Sequence, residues 1–97
     1  MVIKTTPFEP EKYFKDDVSQ VELIADAFES GDAGYIADAI GIVARARGMT
    51  KVAQESGIAR EALYQALSAK GNPTLTTLLK VMKVLGIELT AKSREAA

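Results

Sequence analysis

The chain has 97 residues, enough for one small domain, and its 47% hydrophobic and 26% charged content is typical of folded globular proteins. It contains no cysteine and no histidine, which excludes disulfides, cysteine nucleophiles, imidazole general bases and the usual zinc and iron–sulfur sites. The longest apolar stretch, Ala39 to Ala44, is far shorter than the ~20 residues that cross a bilayer. Acidic residues near the N-terminus argue against a signal peptide. We therefore expect a cytoplasmic protein that is not an enzyme and needs no cofactor, metal or membrane.

The small net charge of −1 conceals a gradient along the chain. Residues 1–38 carry three lysines against nine acids, a net charge of −6. Residues 45–70 carry five basic side chains against two acidic ones, a net charge of +3, and residues 71–97 have a net charge of +2. The two parts can therefore present surfaces of opposite charge to different partners.

The N-terminal part is predicted to be an extended arm followed by a helix. Pro10 suits the start of a short helical turn, because its fixed φ matches a helix and its missing N–H is not needed there. Asp16 or Asp17 then caps an amphipathic helix over Val18–Glu29. We interpret residues 1–31 as an acidic segment that is a candidate for contact with a partner protein.

The centre of the chain predicts three more helices. Asp32 caps a helix that has a buried apolar stripe and ends at Gly48. A short helix begins at Thr50, Gly57 breaks it, and another helix runs from Arg60 to about Ser68. Two short helices joined at a glycine are typical of a helix-turn-helix, because glycine can adopt the positive φ of the turn.

The C-terminal part predicts one more helix and a strand. Thr74 caps an apolar helix that ends at Gly86. The period then changes to the alternation of a strand, whose apolar residues are Ile87, Leu89 and Ala91. Since a lone strand leaves its backbone groups unpaired, we expect it to pair with the same strand of a second copy in a homodimer. Residues 32–86 are thus interpreted as a helix-turn-helix domain, and residues 87–97 as a short strand and tail.

The second helix of this motif is predicted to face solvent on one side. Helical spacing points Leu63, Ala66 and Leu67 inward, whereas the outward-facing residues are Arg60, Glu61, Tyr64 and Gln65. Such a helix fits a DNA major groove, where Arg suits guanine and Gln suits adenine. The alternative is an exposed face that serves solubility alone. For Arg45 and Arg47, we favour charges at a helix end with surface salt links over DNA contacts.

The stretch from Ala44 to Thr90 resembles the Cro/repressor-type (Xre-like) helix-turn-helix proteins and, among them, the HigA-like addiction-module antidote proteins. The resemblance is carried by the runs RARGMT, LYQAL, GNPT and LLKVMKVLG, and by GDAGYIADAIG before them. It implies an all-α, five-helix DNA-binding domain, a homodimer, and an antitoxin that binds a RelE/ParE-type toxin and represses its own operon.

The resemblance also implies which residues contact double-stranded operator DNA. The residues matched to base reading are Arg60, Glu61, Tyr64 and Gln65, and those matched to backbone contacts are Thr50, Lys51, Lys70 and Asn72. Two positions depart from the family pattern. Ala59 occupies the place of a capping Ser or Thr, and Ala69 the place of a common Gly.

Two other functions remain open at this point. One is a prophage-type transcriptional regulator that acts without a toxin, which the absence of a small basic toxin-like gene beside it would favour. The other is a protein-interaction module, because a net charge of −1 is a weak electrostatic footprint for nucleic acid.

Overall fold

The structure is a computed structural model that describes residues 9–94. A short 3₁₀ turn over Pro10–Lys12 precedes five α-helices. These are α1 (Asp17–Ser30), α2 (Ala33–Arg47), α3 (Met49–Ser56), α4 (Arg60–Ala66) and α5 (Leu75–Leu85). The expected all-α class is therefore confirmed for the described part of the chain, whereas most of the predicted arm (residues 1–8) and the end of the tail (residues 95–97) lie outside the described residues.

Side-chain caps start three of the helices at the predicted positions. The backbone N–H of Ser19 donates to Asp16 Oδ1 over 2.8 Å, which caps α1. Asp32 accepts from the N–H groups of the first turn of α2, and Thr74 accepts from the first turn of α5. These helix starts are therefore encoded locally, within three residues of the cap.

Helix α2 lies at the centre of the fold. It contacts all four other helices and the 3₁₀ turn, whereas α1 contacts α2 alone among the helices. The side chains of Ile40, Val43 and Ala44 are fully buried. They pack with residues of every other helix in one apolar core, which includes Ile24, Val52, Leu63 and Met82.

The predicted C-terminal strand is absent from the single chain. Residues 87–94 follow α5 without regular secondary structure, and no residue between 9 and 94 is in a strand. The expectation is wrong for one copy because a strand needs a neighbour to pair with, and no other described segment offers one. The division of the chain at residues 31 and 86 stays a prediction.

None of the helices in the described part of the chain has the length and apolar character that a bilayer crossing requires.

Candidate nucleic-acid interface

Helices α3 and α4 are joined by a turn of three residues. Gly57 takes a φ of +74° and its N–H donates to Ala53 O, which ends α3. The N–H of Ile58 then donates to Ser56 Oγ over 3.3 Å. The positive φ expected of the turn glycine is therefore present, and two short helices follow each other as the spacing predicts.

Few local interactions stabilise helix α4. It spans seven residues, and its N-cap, Ala59, provides no side-chain hydrogen bond. Isolated helices of this length are unstable in water, so tertiary contacts must hold it. Leu63 and Leu67 are both fully buried and anchor its inner side in the core.

Three glycines allow close backbone contacts at the end of α4, because they have no side chain. A Cβ atom at Gly41 of α2 would overlap the carbonyl oxygen of Leu67, and one at Gly71 would overlap that of Ala66. At Gly34, also in α2, a Cβ would lie 2.7 Å from the carbonyl oxygen of Ala69. The direction in which α4 faces thus depends on three positions that have no side chain.

None of these three glycines is predicted from the sequence as a positioning residue. A signal for two of them exists, since Gly34 and Gly41 lie inside a helix, where glycine costs roughly 1 kcal/mol relative to alanine. Glycine at such a cost indicates a close approach of another backbone.

The four residues predicted to read bases share the solvent face of α4. They are all exposed, and Tyr64 retains 41% of its accessible surface. The guanidinium carbon of Arg60 lies 5.5 Å from the centre of the Tyr64 ring, which is a cation–π contact. The contact restrains Arg60 on the outer face, beside the exposed Glu61 and Gln65.

Of the four residues predicted to contact the DNA backbone, two precede α4 in the sequence and two follow it. Thr50 and Lys51 are exposed in the first turn of α3, where Lys51 Nζ lies 3.9 Å from Glu55 Oε2. Lys70 and Asn72 are exposed in the loop between α4 and α5. No hydrogen bond or ion pair joins these four side chains to one another, so the structure groups only the residues of α4.

Arg45 and Arg47 form the salt links expected of them. Arg45 Nε lies 3.6 Å from Glu11 Oε2, and Arg47 contacts Asp17. Arg47 also donates from Nε to Gln20 Oε1 over 2.8 Å and from Nη1 to Leu85 O over 3.0 Å. These two arginines thus join parts of the fold.

The central partner of Arg47 is Gln20, for which the sequence predicts no role. Gln20 is only 2% exposed, and its Nε2 donates to Phe14 O over 2.7 Å. A buried amide needs partners, and Arg47 supplies one of them. Arg47 therefore connects α1, α2 and the end of α5 through one side chain.

The solvent face of α1 differs from that of α4 in charge. Helix α1 contains four carboxylates and no basic residue. Two of its valines, Val18 and Val21, are 67% and 45% exposed. One carboxylate, Asp26, accepts a 2.7 Å hydrogen bond from the Tyr35 hydroxyl, and this bond raises the pKa of Tyr35. The fold thus presents an acidic, partly apolar helix as a second candidate contact surface.

Comparison with known proteins places the chain among antidote proteins. A family model described as "Probable addiction module antidote protein" matches residues 4–93. A Haemophilus influenzae protein described as an uncharacterized protein is 47% identical over 62 residues. The match covers 64% of this chain and 64% of that relative, so the chain spans less than two thirds of the length of the relative. No solved structure gives a significant match.

Proposed function

This chain belongs to the family of probable addiction module antidote proteins, and on that premise we propose that it is the antitoxin of a type II toxin–antitoxin module. In this proposal it neutralises a RelE/ParE-type toxin by direct binding. It also represses its own operon as a Cro/repressor-like homodimer that binds operator DNA.

The exposed face of α4 supports the DNA-binding part of the proposal. Arg60, restrained by its contact with Tyr64, projects from a helix whose inner side is anchored by two buried leucines. A restrained arginine loses less side-chain entropy when it binds guanine. Gln65 then suits adenine, Glu61 suits cytosine or orients Arg60, and Tyr64 suits a thymine methyl or a phosphate.

The backbone contacts follow from position and charge. Thr50 and Lys51 at the start of α3, and Lys70 and Asn72 after α4, flank the reading helix in the sequence, and all four are exposed. Phosphate contacts of this kind fix the register of a reading helix without selecting a sequence. A homodimer places two such helices one DNA turn apart, at ~34 to 36 Å.

The acidic N-terminal segment supports the toxin-binding part of the proposal. A toxin that acts on RNA is expected to be basic. Asp17 of α1 pairs with Arg47, but the other three carboxylates of this helix, Glu22, Asp26 and Glu29, form no ion pair with a described residue. Burying such carboxylates without cations is costly, so a basic partner fits α1 better than an acidic one.

Co-expression with the adjacent small reading frame tests both parts. We expect the two proteins to co-purify and the purified material to shift the upstream promoter DNA in a gel. The double variant Arg60→Ala/Gln65→Ala should weaken promoter binding by at least about 30-fold, because each base contact contributes about 1 to 3 kcal/mol.

The matched control is Lys83→Ala/Thr76→Ala, which also removes one cation and one neutral polar group, from exposed positions of α5. Its promoter affinity should change by less than about threefold, in keeping with the loss of one distant charge. A promoter shift without any captured partner would favour a stand-alone regulator. Capture without DNA binding would favour a protein-interaction module.

A further inference from the structure

An open groove of about 990 Å³ lies between α1 and the C-terminal segment, residues 87–94. Its α1 wall is mostly apolar and contains Val21, Ile24, Ala25 and Phe28. Val21 is 45% exposed in this groove, although the neighbouring Ile24 is buried in the core. The groove therefore leaves apolar surface in water beside the main core.

The opposite wall of the groove has unpaired backbone groups. The N–H of Ile87 donates to Met82 O at the end of α5. Beyond it, residues 88–94 make no hydrogen bond with any other residue of the described range 9–94. A row of free N–H and C=O groups next to an apolar surface accepts a further extended segment.

The sequence of this segment is complementary to itself about Thr90. In an antiparallel pair centred there, Glu88 lies opposite Lys92 of the partner subunit, and this pair occurs twice. Leu89 lies opposite Ala91 of the partner subunit on the other face, also twice. Glu88, Leu89, Ala91 and Lys92 then each have a suitable cross-strand neighbour, whereas Ile87 lies opposite Ser93 of the partner subunit.

We propose that the occupant of the groove is the same segment of a second copy of this chain. The two segments pair antiparallel with Thr90 opposite Thr90 of the partner subunit. The face with Leu89 and Ala91 covers the apolar wall of α1, and the face with Glu88 and Lys92 remains in water. The single chain has no strand here because every cross-strand hydrogen bond of the proposed pair needs a donor or an acceptor from the partner subunit.

The dimensions of the groove are consistent with this occupant. A paired segment over residues 87–93 is about 24 Å long when extended. Helix α1, with 14 residues, is about 21 Å long. The pairing is isologous, so one two-fold axis fills the grooves of both copies.

This inference builds on the proposed homodimer and states how it forms. The pairing does not involve the solvent face of α4, and Glu29 is the one carboxylate of α1 that lines the groove. Toxin capture can be measured on the same variants as a separate property, whereas operator binding, which needs both reading helices of the homodimer, should weaken together with dimerisation.

Single cysteine variants test the register, because the chain has no cysteine of its own. Under mild oxidation, Thr90→Cys should form a disulfide-linked dimer, since opposite residues have a Cα–Cα separation of about 4.5 to 5.5 Å. Ala91→Cys is the matched control. In the proposed register its two copies are diagonal neighbours, too far apart for a disulfide. Preferential cross-linking of Ala91→Cys would overturn the register.

Charge reversal tests the cross-strand pairs. Glu88→Lys and Lys92→Glu should each weaken dimerisation about tenfold, because each replaces two attractive pairs with two repulsive ones. The combined variant Glu88→Lys/Lys92→Glu restores opposite charges across the axis, and its dimerisation should return to within about twofold of the original. Sedimentation equilibrium over a range of protein concentrations measures all four proteins.

Two results would overturn the proposal. One is a chain that remains monomeric at all concentrations, and the other is a combined variant that dimerises no more tightly than the two single variants. A monomer that still captures the product of the adjacent reading frame would contradict this dimer and leave the antitoxin function intact. A normal dimer that captures no partner would contradict the antitoxin function alone.

Discussion

Helices α1 and α4 both present exposed faces, but they are held in place by different means. Helix α1 has 14 residues, a hydrogen-bonded aspartate cap and a left-handed glycine at its end. Helix α4 has seven residues and no side-chain cap. It is held instead by buried leucines and by glycines that admit its carbonyl oxygens. Residues far from the exposed face of α4 therefore control where that face points.

The largest effect is expected at the contact between α2 and α4. Gly41→Ala should lower the free energy of unfolding by about 3 kcal/mol, because its Cβ overlaps the Leu67 carbonyl and both backbones belong to packed elements. Urea denaturation followed by circular dichroism measures this.

The control for that prediction is Gly31→Ala at the end of α1. Gly31 has a φ of +72° with open space around it, so only the backbone strain of about 1 kcal/mol applies. Equal losses in the two variants would show that α4 is not held by close backbone packing.

The next effect concerns Arg47, which joins α1 and α2 to the end of α5. Arg47→Met should lower the free energy of unfolding by about 2 kcal/mol, because Gln20 Oε1 loses its hydrogen-bond donor inside the protein. In the double variant Gln20→Met/Arg47→Met, part of this loss should be recovered, since no unpaired amide remains. Strict additivity of the two single variants in urea denaturation would contradict this network.

A smaller effect, a gain in stability, is expected at the start of α4, where the helix has no side-chain cap. Ala59→Ser should stabilise the protein by about 1 kcal/mol, because the backbone at Ala59 is already extended, with φ −58° and ψ 137°. Thr74→Ala, which removes the existing cap of α5, should cost a similar amount. A thermal midpoint for Ala59→Ser at or below that of the unmodified chain would mean that α4 does not gain from a local cap.

The smallest effect is a pH dependence at the start of α1. The hydrogen bond from the Ser19 N–H lowers the pKa of Asp16 below its ordinary value of 3.8. This carboxylate thus contributes stability above pH 3.8, and the contribution is lost as the pH falls through the lowered pKa. Asp16→Asn keeps a capping side chain but cannot titrate. Its thermal midpoint should fall less than that of the unmodified chain between about pH 4 and pH 2, and equal falls would exclude this contribution.

Much of the helical layout is predictable from local pattern. Asp16 or Asp17 is predicted as the cap of a helix over Val18–Glu29, and the structure has Asp16 capping Asp17–Ser30. Helix α4 is predicted to run to about Ser68 but ends at Ala66. Leu67 leaves the helical conformation, with φ −101° and ψ 57°, where its carbonyl meets Gly41. The local sequence pattern does not predict this end of α4, because the contact of Leu67 is with Gly41 of another helix, α2.

The candidate interface is also predictable only in part from the sequence. Helical spacing places Arg60, Tyr64 and Gln65 on the outer side of α4, and all three are exposed. The stacking of Arg60 on Tyr64 also follows an i, i+4 spacing, although only the structure shows that it forms. The strand predicted after α5 is absent from the described residues, because no other described segment lies beside residues 87–94 to pair with them.

Caps, apolar periods and glycine stops act over three or four residues, so the amino-acid sequence alone is enough to locate the helices and their outer faces. The tertiary structure decided which distant groups meet. Arg47 bonds to residues 27 and 38 positions away, and the glycines of α2 contact the end of α4. Such contacts follow from packing in three dimensions, for which a local pattern holds no signal.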